Sequence, residues 1–384
     1  MFKASSAKQK IDFEEPIWLA GYTFRRLSKG TSNPLYARTL VIKKDTDVLV
    51  LTSVDVIGLL KYDIENWKKD WLKDGLPVEN IIVCSTHTHS GPDTMGLWSL
   101  PIIDSKKKES TLKKIKEACA QSIVQALSTT QIAEFTIINK RLNDFSHNRR
   151  VPTENNPKLS VIHFRNHSTK KTISSLISFP SHAVILNRNN NKISSDYPGL
   201  ICNAIDSKIG GCSIFVPSYL AGIVPKIPKR GSESLNNYSN KLSKAIIELI
   251  EAENKYEQED IKALNEDVSI PIKNMLFNLV YRLGILKGKL NLVDIETKVS
   301  SWKFGNFKLL FAPGELSWEL SEKVKQSTKS ENLIVGLAND QLGYLLSKKE
   351  YKEDAYKYER RLCISRSAGE IISSKLIELN NRLN

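Results

Sequence analysis

The sequence predicts an α/β protein, mixed α+β in its detail, with a mixed β-sheet core flanked by helices and a metal site at the strand ends. Three observations carry this expectation. Apolar, β-branched runs stop abruptly in polar turns at VLVLTSVDVIG (48–58) and IIVCSTHTHSG (81–91), which reads as strands. Between them IENWKKDWLKDGL repeats its apolar residues at helical spacing. Further strand-like and helix-like segments then follow one another to the chain end.

A helix is predicted over about residues 106–127, followed by strands in AEFTIINKRL, LSVIHFRN and KTISSLISF. A helix opens near YPGLICNAIDSKI, SIFVPSYL reads as a strand, and residues 234–253 read as another helix. The second half adds a strand pair in VSSWKFG and FKLLFAPGE, a strand in NLIVGLAND and a terminal helix over about 366–381. The most polar stretch, EAENKYEQEDIKALNED, marks a surface excursion or a lobe boundary near 252–268 inside one catalytic domain.

Composition narrows the function classes. With 41% hydrophobic and 26% charged residues, the 384-residue chain has the make-up of a globular protein able to build a large core. The opening MFKASSAKQKIDFEE holds no apolar run of signal-peptide length and no segment reaches the roughly 18 apolar residues of a membrane helix, so a cytoplasmic protein is expected. Five cysteines without CxxC spacing predict idle thiols, neither a disulfide framework nor a thiolate zinc site. The net charge of +14 comes from lysines spread through SKKKESTLKKIK, KIPKR and SKKEYKEDAYK with acids among them. Solvated helix faces explain that pattern better than a nucleic-acid groove, and no nucleic-acid partner is expected. The same charge favours an anionic substrate or peripheral contact with an anionic membrane.

The chemistry is concentrated where apolar runs end. In extended backbone, residues i and i+2 share a face, so His87 and His89 reach one cavity provided that strand geometry persists beyond Ser85. His182 ends another such run, Asp196 sits in the loop after it, and Glu315 stands at a strand-to-helix junction in KLLFAPGELSWEL. Singly, each also reads as a satisfied core histidine or a glutamate favouring a helix N-terminus. Together, two histidines and a carboxylate form a ligand set used by zinc hydrolases, with a position left open for water.

The chain resembles the neutral ceramidases and their smaller bacterial relatives. The resemblance lies in LAGYTFRR, LYARTLVI, HTHSGP, SHAV with ISSDYPG, the PGE turn, and GLANDQLGYLLSKKEYKEDAYKYE, in that order across nearly the whole chain. It implies a zinc ion held by His87, His182, Glu315 and Tyr344, and catalytic or pocket roles for His89, for Arg149 in HNRR and for Tyr356. Only the resemblance selects Tyr344 over Tyr351 or Tyr358, and a shift of register would exchange Arg149 for Arg150. Asp55 and Asp196 are expected to orient the histidines.

Two departures bear on substrate. Where ceramide-cleaving members resemble one another in a segment like SNAGDVSP, this chain reads PSYLAGIVPKIP, with Ser218 or Tyr219 near the serine position and Ile223 at the aspartate position. The resemblance ends soon after the tyrosine motif, so no C-terminal immunoglobulin-like domain is expected. The reading that follows is a zinc-dependent amidohydrolase cleaving an N-acyl bond in a lipid or an acylated amino sugar. A zinc esterase and a non-catalytic ceramidase-like binding protein are the alternatives.

Overall fold

A computed structural model of the chain describes all residues except 15, 101–103, 154–156, 289, 292–293, 328–329 and 384. Two mixed sheets form its centre. The larger has eight strands in the spatial order Ile214–Pro217, Thr172–Phe179, Lys158–Asn166, Gln131–Arg141, Lys3–Ile11, Leu35–Lys44, Asp47–Val54 and Ile81–Ser85. Its two outermost pairs are parallel and the pairs between them antiparallel. The smaller sheet runs Ile261–Pro271, Asp294–Phe304, Phe307–Phe311, Asn332–Val335, with the last pair parallel.

Strand alternation decides how the sheets stack. Phe2, Leu40, Leu51, Phe135 and Phe164 of the large sheet share one buried cluster with Trp302, Phe304, Leu309 and Phe311 of the small one, so the two inner faces form a common core. The outer face of the large sheet is covered by Lys61–Lys73 and Ser105–Ser128 through Trp67, Trp71, Ile115 and Ile123, and further along by Asp196–Ile209 and Ser232–Glu251. The outer face of the small sheet is covered by Trp318–Lys325 and Ala368–Arg382 through Leu320, Ile372 and Leu376. The result is a four-layer stack of helices, sheet, sheet and helices, each layer burying the stripe its periodicity provides.

The segments predicted from periodicity are present: the helix at 106–127 is Ser105–Ser128, and that at 234–253 is Ser232–Glu251. The polar stretch at 251–267 is corrected in part. Its second half is not a surface excursion but the start of Ile261–Pro271, paired along its length with Asp294–Phe304. Its alternate residues are solvated because it is an edge strand, which made it look like a loop. All five cysteines are buried and unpaired. No helix among the described residues is long and apolar enough to cross a membrane.

Candidate metal centre

The site lies where strands from both sheets end together. His87 and His89 follow Ile81–Ser85, His182 follows Thr172–Phe179, Glu315 follows Phe307–Phe311, and Tyr344 follows Asn332–Val335. The sheets are joined here by Asn339, whose side-chain oxygen accepts from the Val83 amide at 3.0 Å and whose own amide donates to the Val83 carbonyl at 2.7 Å. Glu315 and Tyr344 face each other in a short parallel pairing, and the Glu315 amide donates to the Gly343 carbonyl at 3.0 Å.

The two histidines of the HTH segment converge, with ring centroids 4.9 Å apart, but not by strand alternation. The strand stops at Ser85, and His87 takes the left-handed conformation at φ 65° while only 3% exposed. A buried non-glycine residue in that region is strained, and such strain persists where the surroundings hold a functional side chain in place. The expectation of extended geometry past Ser85 is therefore corrected: a local kink, not the β-pleat, brings the rings together.

Backbone carbonyls fix the tautomers. His87 Nδ1 lies 2.6 Å from the Ile57 oxygen, His89 Nδ1 2.8 Å from Gly21 and His182 Nδ1 2.7 Å from Ile223. Carbonyls only accept, so each Nδ1 carries the proton and each Nε2 presents its lone pair inward. The expectation that Asp55 and Asp196 orient these rings is thus corrected. Asp55 accepts from the Tyr36 amide, while Asp196 accepts from Ile185, Leu186 and Tyr197 and shapes the loop after His182. Ile223, in the segment that departs from the ceramide-cleaving pattern, holds His182 through its backbone, which is independent of its side chain.

Electrostatics favours a cation at the centre. The ligand atoms of His87, His89 and His182 all lie within 4.8 Å of one another, a group able to hold a metal ion. Glu315 Oε2 stands 3.0 Å from His182 Nε2 and 3.4 Å from His87 Nε2. Burial opposes its charge, but those two imidazoles pull the carboxyl well below its usual range. Burial and the neighbouring rings push His89 well below the ordinary imidazole value, and burial lowers His182 as well. His87 alone is raised, the Glu315 charge outweighing its burial. His89 Nε2 is buried without a hydrogen-bond partner among the described residues. The inward lone pairs of His87 and His182 and the Glu315 carboxylate suit a nitrogen- and oxygen-preferring divalent ion such as zinc, with the unpartnered His89 Nε2 beside them.

Tyr344 lines the same cavity, its ring centroid 6.4 Å from that of His182. Arg149 and Arg150 both reach the adjoining compartment, so the choice between them does not arise: both face it. Tyr356 packs beside Tyr344 but is not among the residues that line these compartments. It is fully buried and its hydroxyl accepts from Asn148 at 3.3 Å, whereas Tyr358, two residues on, lines the central cavity and both compartments beside it. The turn formed by Asp354–Tyr356 and Lys357–Arg361 decides which of these tyrosines points inward. Sequence reasoning also passed over Gln341, which donates to Glu315 Oε1 at 3.1 Å. Its place inside GLANDQLGY was the available signal. Gly21 was another signal: it is at φ 96°, and a Cβ there would collide with the His89 ring.

From the metal centre the cavity opens two ways. One arm, of about 430 Å³, is apolar and lined by Trp98, Phe277, Val280, Ile285, Leu286 and Leu362. The other, of about 310 Å³, is lined by Arg149, Arg150 and Arg230 together with Tyr22 and Val224. The fold and site thus define an α/β protein with a buried histidine–carboxylate cluster at the strand ends, able to hold a metal ion. The family model for the neutral/alkaline non-lysosomal ceramidase N-terminal region matches residues 15–222, and the chain belongs to that family of amide hydrolases. The fold is similar to the crystal structure of neutral ceramidase from Pseudomonas aeruginosa, at a TM-score of 0.82 and 17% identity over 100% of this chain and 74% of that one. It is also similar to a ceramidase complexed with C2, at a TM-score of 0.83 and 16% identity over 100% of this chain and 75% of that one. No curated protein sequence matches the chain.

Proposed function

We propose that the protein is a zinc-dependent amidohydrolase that cleaves the N-acyl bond of a substrate with an apolar acyl chain. The observation that carries this reading is the carboxylate-bearing histidine cluster opening directly onto an apolar arm. When bound, zinc supplies Lewis acidity and makes water acidic enough to provide hydroxide near neutral pH. His87, His182 and Glu315, with Tyr344 beside them, would hold it. His89 has its Nδ1 proton committed to Gly21 and an inward Nε2 kept neutral by burial, which suits it to accept a proton from the attacking water and return it to the amide nitrogen. The C–O bond forms, the C–N bond breaks, and a carboxylic acid and an amine leave. Tyr358, at the cavity wall, would donate a hydrogen bond to the tetrahedral intermediate, and Arg149 to polar groups of the substrate in the adjoining compartment.

The test uses protein purified without chelator. It should carry one zinc per chain and release fatty acid from fluorescent N-acyl substrates, with a short-chain ceramide included. Dialysis against a chelator should abolish release and added zinc restore it. Full activity in metal-free protein, or cleavage of the matched ester with none of the amide, overturns the reading.

We also propose peripheral contact with an anionic membrane through the helix Met275–Arg282. Its inner residues Phe277 and Val280 line the apolar arm, while Met275, Leu279 and Leu283 are exposed at 87%, 54% and 64%. Phe24, at the same arm, is also exposed, and the exposed Lys273, Arg282 and Lys287 flank the patch. An apolar face bordered by cations fits the interface of anionic lipid and would let an acyl chain pass from bilayer to cavity. The double substitution Met275→Glu with Leu279→Glu should weaken sedimentation with phosphatidylglycerol-containing vesicles by about tenfold or more. Undiminished binding would remove this helix from the contact.

A further inference from the structure

The arm opposite the apolar one has a charge that hydrolysis of a neutral amide does not require. Arg149 Nη2 lies 3.3 Å from Glu359 Oε1, and Arg150 Nε and Nη2 both lie 2.8 Å from that same oxygen. Glu359 is fully buried behind them, so one carboxylate serves two guanidinium groups. Arg230 faces the same compartment and has no carboxylate within ion-pair distance among the described residues. Among the described residues no acidic side chain lines the compartment. Along this wall three guanidinium groups face the single carboxylate of Glu359, while the next acids, Asp196 near Arg230 and Glu315 at the metal centre, lie outside the lining.

The arrangement is held in place. The Arg149 amide donates to the Gly222 carbonyl at 2.9 Å, and the Arg150 amide to Asn148 Oδ1 at 2.8 Å. Gly222, at φ 79°, allows this approach, since a Cβ there would press on the Arg150 side chain. Arg230 is anchored from the other side: its carbonyl accepts from Asn187 and the next amide, Gly231, donates to Ile185 at 3.0 Å. Both anchors sit in the loop that follows His182. The compartment is also walled by His182, His89 and Tyr344, so a group bound in it lies directly beside an amide held at the metal centre.

We propose that Arg149, Arg150 and Arg230 form a subsite for an oxyanion, phosphate or carboxylate, on the amine half of the substrate. The inference rests on the amidohydrolase reading for which half lies here: the apolar arm takes the acyl chain, leaving this arm to the amine. Planar guanidinium forks pair with such oxyanions in bidentate fashion, and a group already partly desolvated strengthens the pairing. The preferred substrate class is then an anionic N-acyl compound rather than a neutral one.

The test separates binding from hydrolysis. Octanesulfonyl amides of glycine, of phosphoethanolamine and of ethanolamine carry no scissile carbonyl and differ in the anion alone. Calorimetry on the zinc-loaded protein should give about tenfold or greater tighter binding for the two anionic compounds, as expected for a charge-assisted contact. Which of the two binds better assigns phosphate or carboxylate, and competition by inorganic phosphate alone shows whether the subsite takes the free ion. Arg230→Gln should erase the anionic advantage and leave the neutral compound unaffected, while Arg230→Lys keeps most of it. Equal affinities in the unaltered protein, or an anionic preference that survives Arg230→Gln, overturn the subsite. If the preference is present but none of the corresponding octanoyl amides is cleaved, the subsite stands and the hydrolase reading falls.

Discussion

Glu315→Ala should deplete the protein of zinc and lower turnover by at least about 10³-fold, because the ion contributes several kcal/mol to such a reaction and each 1.36 kcal/mol is tenfold. Among the described residues the carboxylate is the one negative charge in contact with His87 and His182, and its Oε1 accepts from the Gln341 amide at 3.1 Å. Without it the neutral imidazoles offer lone pairs but no charge to offset a divalent ion. His182→Ala should act in the same direction by removing an inward nitrogen pinned by the Ile223 carbonyl. Metal analysis of each purified variant, beside a thermal melt to confirm folding, gives the comparison. Stoichiometric zinc with undiminished turnover in either variant would show that the metal is held elsewhere.

His89→Ala is expected to retain zinc and lose about 10²-fold or more in rate, the cost typical of one missing hydrogen bond to a transition state. The geometry makes the outcome informative, since His89 Nε2 sits with the other two histidines inside the same 4.8 Å group. What separates it is the carboxylate: Glu315 Oε2 stands 3.0 Å from His182 Nε2 and 3.4 Å from His87 Nε2, and among the described residues no such contact links it to His89. The His89 ring instead packs 5.1 Å from Tyr22 and hangs from Gly21. If His89→Ala loses zinc as completely as His87→Ala, His89 is a ligand and its assignment as proton carrier is wrong.

Much of the architecture was legible because periodicity reports which face a segment buries. Ser105–Ser128 and Ser232–Glu251 repeat apolar residues at helical spacing, and IIVCS and FKLLF are short apolar runs cut off by turns. Ile261–Pro271 escaped because exposed, half-buried and buried side chains interleave along it at a sheet edge, leaving no continuous apolar run to detect. Met275–Arg282 escaped for the opposite reason: apolar residues stand on more than one of its faces, so no single stripe announces a helix against the core.

The site divides in the same way. Residue types at strand ends marked His87, His89, His182 and Glu315 from the sequence, because an ionisable group that closes an apolar run must end up beside a core and needs a partner there. The sequence by itself therefore determined the α/β class, the residue types of the cluster and the family motifs. Only the tertiary structure decided which groups meet. Ile57, Gly21 and Ile223 orient the histidines through carbonyls, which every residue possesses and no side-chain pattern can reveal. A single turn carries Tyr358 to the cavity and leaves Tyr356 in the core, and Arg230 meets Arg149 and Arg150 across 80 residues because Arg230 is tied to the loop after His182 and Arg149 to Gly222. Such convergence depends on distances between segments far apart in the chain, and local sequence encodes the path of each segment but not their meeting point.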